Sequence, residues 1–252
     1  MTVTPEWDSS REMNAFFSVY DRDKPGLPAM AQAIHDHGYR LFASGGSSRC
    51  IAEAGLPVTD VSQLITGAIA RTFLQSFPDL GLDEETIAGA MDGGEAFAHR
   101  LATISQQFEA TILARRFAVD LEWLEQRGLP FMGLVCVTFY PLGLEIAKSD
   151  STLESVLEMV DIGGPTMADA AAKSFRDVLV DPEYWPIYLE WLDRQRPNEE
   201  LFRRLLSAKA FGVVSDYYGT ASRYLAQGIG HQDILGQLPR CFAAGTPVIG
   251  HL

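Results

Sequence analysis

The chain has 252 residues, 47% hydrophobic and 21% charged, a balance that can bury the core of one large domain. A net charge of −13 argues against a nucleic-acid surface, which needs a basic stripe, and no apolar run approaches the ~20 residues of a membrane span. Three cysteines without a CxxC pair, Cys50, Cys136 and Cys241, suit a reduced, cytoplasmic chain with no disulfide framework.

MTVTPEWDSSREMN carries acids and no apolar stretch, so residues 1–13 read as a disordered lead and not as a signal peptide. AFFSVY (Ala15–Tyr20) is aromatic and β-branched and predicts a strand. DRDKPG is a polar turn, and LPAMAQAIHDHG has helical spacing with Gly38 as its stop. YRLFAS predicts a second strand, SGGSS a loop, SRCIAEAG a short helix closed by Gly55, and PVTDVS a third strand. From about Leu64 to Gly94 the chain reads as loop-rich, with no element assigned. Gly94 to Gly128 reads as mainly helical, with Leu113, Phe117, Leu121 and Leu124 three or four apart. GLVCVTFY (Gly133–Tyr140) predicts a strand buried on both faces. Thr152–Val160 predicts a helix and VLVD (Val178–Asp181) a strand; Asp181-Pro182 is an N-cap followed by a first-turn proline. Asn198–Tyr224 reads as helix, and the tail beyond it is punctuated by Gly and Pro.

Strands alternating with helices predict an α/β fold with a parallel, doubly wound sheet, whose ligands sit beyond the carboxyl ends of the strands. That rule selects four loops: Asp21–Gly26, Ser44–Ser48, Tyr140–Gly143 and Asp161–Pro165. SGGSS can cradle a phosphate on backbone N–H groups and hydroxyls, or be an ordinary turn before a helix. Lysines are scarce, only Lys24, Lys148, Lys173 and Lys209, so each one bears on any anion site. Arg22 and Lys24 are either part of a solvated turn or further anion ligands. Asp161 can end a helix or face a ligand. Lys173 lies four residues after Asp169 and can pair with it on the surface. Alternatively, among the small residues Gly163, Gly164, Ala168 and Ala170 to Ala172, it joins Asp161 on one ligand. Tyr140 is either a packed phenol or a contact at the sheet edge. His35 and His37 point different ways on a helix, and no metal site or cofactor is expected.

Taken together, AFFSVYDRDKPGL, LFASGGSSRCIAEAGLPVTDVSQLITG, FYPL, VDIGGPTMADAAAKSFRDVLVDPEYW and LLSAKAFGVVSDYYGTASRYL resemble one family. It is the IMP cyclohydrolase domain, the N-terminal half of the bifunctional purine biosynthesis protein. The resemblance runs from about Ala15 to Leu225, and DIGGPT followed by AAAKS is its most specific part. It implies a methylglyoxal-synthase-like fold, a parallel sheet flanked by helices, with additional C-terminal helices. It implies a domain over 14–228 with an extension over 229–252, standing alone without the companion formyltransferase and working as a homodimer. The implied substrate is a small phosphoribosyl or nucleotide-like molecule, with no nucleic acid and no membrane as partner. The implied reaction condenses an amide with a formamide and loses water. By resemblance, Ser18, Lys24, Ser44, Gly45, Gly46 and Ser47 hold the phosphate. Arg100, Thr103, Thr138, Ile162, Gly163 and Gly164 bind the substrate, and Tyr140, Asp161 and Lys173 are catalytic.

The match departs from the family around that site. The family's catalytic lysine falls on Ala102 and its histidine on Ser105, while the Asn before Leu-Tyr-Pro becomes Thr138. The Arg before Ala-Ala-Ala-Lys becomes Asp169, and the Asn after it becomes Ser174. Three readings follow: ring closure to IMP with Arg100 or Lys173 compensating; a related condensation or hydrolysis on another phosphoribosyl heterocycle, as in specialised metabolism; or a nucleotide-binding or scaffold protein without chemistry.

Overall fold

The computed structural model describes residues 13–91 and 103–227. Five short strands form one sheet: β1 (Asn14–Ser18), β2 (Arg40–Ala43), β3 (Val58–Asp60), β4 (Leu134–Val137) and β5 (Asp177–Leu179). Their order is β3-β2-β1-β4-β5, and every pair is parallel. The chain lays down β1, β2 and β3 in one direction, then returns past β1 to add β4 and β5. The direction reverses between β1 and β4, so the ligand crevice of such a sheet opens at the carboxyl ends of those two strands. Helices cover both faces. The side with α1 (Leu27–Asp36) and α2 (Gly45–Glu53) also holds α10 (Trp185–Asp193). The other holds α3 (Val61–Ser76), α5 (Gln106–Leu113), α9 (Gly163–Lys173) and the long α11 (Glu199–Leu225). The remaining described helices are α4 (Glu84–Met91), α6 (Ala118–Glu125), α7 (Leu142–Ile146) and α8 (Leu153–Glu158).

Coverage on both faces explains the near-continuous apolar sequence of the central strands. Phe16 sits in register between Phe42 and Val135, and its ring packs on Phe108 of α5 at 4.6 Å. At the amino edge, buried Asp177 accepts from Arg203 at 2.7 Å, Arg196 at 3.0 Å and the Tyr188 hydroxyl at 2.9 Å. That cluster fastens α10 and α11 to β5.

Four sequence expectations need correction. The stretch from Leu64 to Gly94 is not loop-rich in its described part but carries α3 and α4. Its polar residues are helix-compatible: the hydroxyls of Thr66, Thr72 and Ser76 each donate to the carbonyl four residues back. SGGSS is not a free loop; Gly45 and Gly46 open α2. The strand expected over Gly133–Tyr140 ends at Val137, because Thr138 turns aside to receive the Tyr20 N–H. VLVD starts one residue early, at Asp177, and Asp181 caps a 3-10 turn (Pro182–Tyr184) that leads into α10. The lead, Arg100, Ala102 and the extension over 229–252 lie outside the described residues.

Candidate functional site

The candidate site builds up from the carboxyl ends of β1, β2 and β4. Ser44 stands at the N-cap position of α2 with an extended backbone. Its hydroxyl does not cap the helix but donates to Ser18 Oγ at 2.9 Å, tying the end of β2 to the end of β1. Buried Ser47 is structural: its hydroxyl receives the Val19 N–H at 2.8 Å and donates to the Val19 carbonyl at 3.3 Å. Lys24 arches over the same helix start. A Cβ on Gly46 would lie 2.6 Å from its Nζ, so glycine is what leaves room for the ammonium. The ammonium pairs with exposed Asp21 at 2.5 Å, and nothing stands within 4 Å of a Cβ placed on Gly45. A lysine over free first-turn N–H groups, with two serine hydroxyls alongside, can hold an anion.

The other half of the site gathers at β4. Thr138 receives the Tyr20 N–H on its Oγ1 at 2.8 Å, and its own N–H reaches the Ser18 carbonyl at 3.0 Å. Thr138 is therefore a latch between the two strand ends. Tyr20 and Tyr140 face each other with ring centroids 5.4 Å apart, and Tyr140 is exposed. Asp161 precedes α9. Its Oδ1 accepts from the Gly164 N–H at 2.9 Å, and its Oδ2 would lie 2.7 Å from a Cβ on Gly164. A Cβ on Gly163 would lie 2.9 Å from Thr103 Oγ1, so Thr103 closes the other side. Ile162 is exposed at the mouth. Burial raises the Asp161 carboxyl above its ordinary range, against the pull of the Gly164, Tyr140 and Gly163 N–H groups. A carboxyl balanced between burial and backbone donors can give or take a proton.

Lys173 does not join this group within one chain. It closes α9, whose first turn carries Gly163 and Gly164. Ten residues of helix separate Gly163 from Lys173, roughly 15 Å along the axis. It is exposed and forms no pair with Asp169; a cation there suits the helix C-terminus. Ser105 caps α5, its hydroxyl accepting from the Phe108 N–H. Tyr217 and Tyr218 of α11 were not singled out from the sequence. The Tyr217 hydroxyl receives the Asp161 N–H at 2.8 Å, and Tyr218 is raised by burial and then by Asp161 and Asp169. The signal was there: Ala210, Val214, Tyr217 and Ala221 form one stripe at helical spacing, which turns Tyr217 inward. A separate groove of about 810 Å³ beside α11, lined by Trp191, Phe202, Leu205 and Phe211 among others, contains none of the candidate site residues.

Among the described residues no group of three or more His, Cys, Asp or Glu could hold a metal, and no helix is long and apolar enough to cross a membrane. A solved structure titled "Crystal structure of ForH" is similar at 24% identity with a TM-score of 0.59, covering 84% of this chain and 97% of that one. At that identity the likeness concerns the fold. The MGS-like domain matches residues 26–166, more than half of the chain, a range that includes Ser44 to Ser47, Thr138, Tyr140 and Asp161 to Gly164 but not Ser18 or Lys24. The parallel sheet, its flanking helices and this match agree: the chain belongs to the MGS-like domain family.

Proposed function

We propose that this protein is an enzyme acting by acid–base chemistry on a phosphorylated heterocyclic riboside, most specifically an IMP-cyclohydrolase-like ring closure or a close relative of it. One observation carries the reading: an unbroken series of contacts joins the Lys24–Gly46 anion cradle to Asp161 through Ser44, Ser18, Thr138, Tyr20 and Tyr140. β2 and β4, whose carboxyl ends carry Ser44 and Thr138, are two strand spacings apart, ~10 Å, a span a sugar phosphate bridges. In ring closure the amide nitrogen attacks the formyl carbon. The N–C bond forms as Asp161 takes one proton from the amide nitrogen; the C–O bond then breaks as the formamido nitrogen gives up its own proton and forms the ring C=N bond, and the oxygen leaves as water carrying that proton and the one held by Asp161. Asp161 can return that proton, because burial makes its protonated form accessible. Tyr140 and the backbone of Gly163 and Gly164 flank the flat ring. A homodimer belongs to this reading, and sedimentation velocity checks it.

The test incubates pure protein with formyl-AICAR, subtracts the uncatalysed background and follows IMP by mass spectrometry. Turnover abolished by Asp161→Asn is the expected result. Absence of turnover in folded, phosphate-binding protein removes purine closure and points to another heterocycle. A second reading, a nucleotide binder without chemistry, draws on the distance from Lys173 to Asp161 and on Ala102 standing where the family has lysine. It expects full partner or ligand binding in Asp161→Asn and no substrate consumed.

A further inference from the structure

We propose that Tyr217, on α11 and beyond the family-matched segment, is a positioning residue that holds Asp161 in its working orientation; this rests on Asp161 being the acid–base group. Its phenol oxygen accepts from the Asp161 backbone N–H at 2.8 Å and donates to the Met159 carbonyl at 2.8 Å. One hydroxyl thereby spans the Met159-Val160-Asp161 turn that joins α8 to α9. The ring is itself fixed. It meets Phe139 edge-on with centroids 5.3 Å apart and packs beside Leu142, Val156 and Ala221. Phe139 in turn presses on Gly164, where a Cβ would stand 2.8 Å from Phe139 Cδ1 and 2.7 Å from Asp161 Oδ2. Phe139 and the Asp161 carboxylate thus both close on Gly164, whose N–H donates to Asp161 Oδ1. Burial pushes the Tyr217 phenol up to about 12, so it keeps its donated proton wherever Asp161 titrates. The helix that delivers it is anchored about four turns away, where Arg203 meets Asp177 at 2.7 Å.

Removing the hydroxyl frees the Asp161 N–H and loosens the turn. The carboxylate then drifts from the Gly164, Tyr140 and Gly163 donors that favour its charged form. With the ring still in place burial persists, so the carboxyl holds its proton to higher pH.

The experiment is carbon-13 NMR of carboxyl-labelled aspartate in the full chain, with Asp161→Asn identifying the resonance. Tyr217→Phe is expected to raise the Asp161 midpoint by roughly one pH unit, while affinity for inorganic phosphate stays within about twofold. A midpoint that is unmoved or lowered in the folded variant overturns the proposal. Should Tyr217→Phe fail to fold, amide exchange on the unsubstituted protein decides. Slow exchange at Asp161, matching the interior of α9, supports the bond, and exchange at loop rates overturns it. Neither measurement needs turnover, so a failed formyl-AICAR assay defeats the proposed reaction and leaves this test standing.

Discussion

Asp161 and Glu109 are both carboxyls lifted by burial, and they differ in what opposes the lift. Three backbone N–H groups face Asp161, whereas Oε1 of Glu109 is buried without a hydrogen-bond partner, and burial raises that carboxyl from 4.5 to about 7. Between those values the folded chain binds the extra proton. Glu109 therefore costs stability increasingly as pH rises from 4.5 to about 7, and the cost then stays constant. Glu109→Gln is expected to stabilise by about 1–3 kcal/mol near pH 8, discounted for partial exposure, and to do nothing near pH 4. Thermal melts at both pH values check it, and an equal shift at both contradicts the account. At this scale the sequence was uneven. Asp161, Gly163 and Gly164 were legible as candidates because they adjoin in one short motif. Tyr217 was not, because its partner Asp161 is distant in sequence and only the packing of α11 joins them.

Helix starts carry both ends of the candidate site, and in each a glycine makes room for a charged neighbour. Gly46→Ala places a methyl against the flexible end of Lys24, so the fold tolerates it while the ammonium moves. Phosphate affinity is expected to fall about tenfold with stability changed by under ~1 kcal/mol, read by calorimetry and melting. Gly164→Ala meets the Phe139 ring and the Asp161 carboxylate together, neither free to retreat. It is expected to cost about 1–3 kcal/mol and to move the Asp161 titration as well. SGGSS and DIGGP read as bare loops in sequence because two adjacent glycines lower helix propensity. Each proved to be a first helical turn, where packing against a strand end outweighs that loss. The hydroxyl-rich α3 misled in the same way, since its hydroxyls find carbonyls within the helix.

Over the whole molecule, α11 works as a strut. Its first turns are pinned at the amino edge of the sheet through Arg203 and Asp177, and Tyr217 reaches the carboxyl edge where Asp161 lies. Asp177→Ala would leave Arg203 and Arg196 without the buried acid that both contact. A loss of about 3–5 kcal/mol is expected, seen in denaturant melts, with the Asp161 midpoint disturbed in whatever folds. Inorganic phosphate is expected to raise the melting temperature of the native chain through binding to the folded state alone, and less so in Gly46→Ala. The parallel α/β class and the five strands were legible from the chain alone, because apolar runs, glycine stops and proline starts are local signals, whereas α3 and α4 were not. So was the clustering of candidates at strand ends, which follows from connectivity. The folded chain alone decided that Lys173 stands a helix length from Asp161, that Thr138 latches two strands, and that a tyrosine on α11 completes the Asp161 turn. Those depend on the direction in which each helix packs, a property of the whole sheet and not of any short stretch.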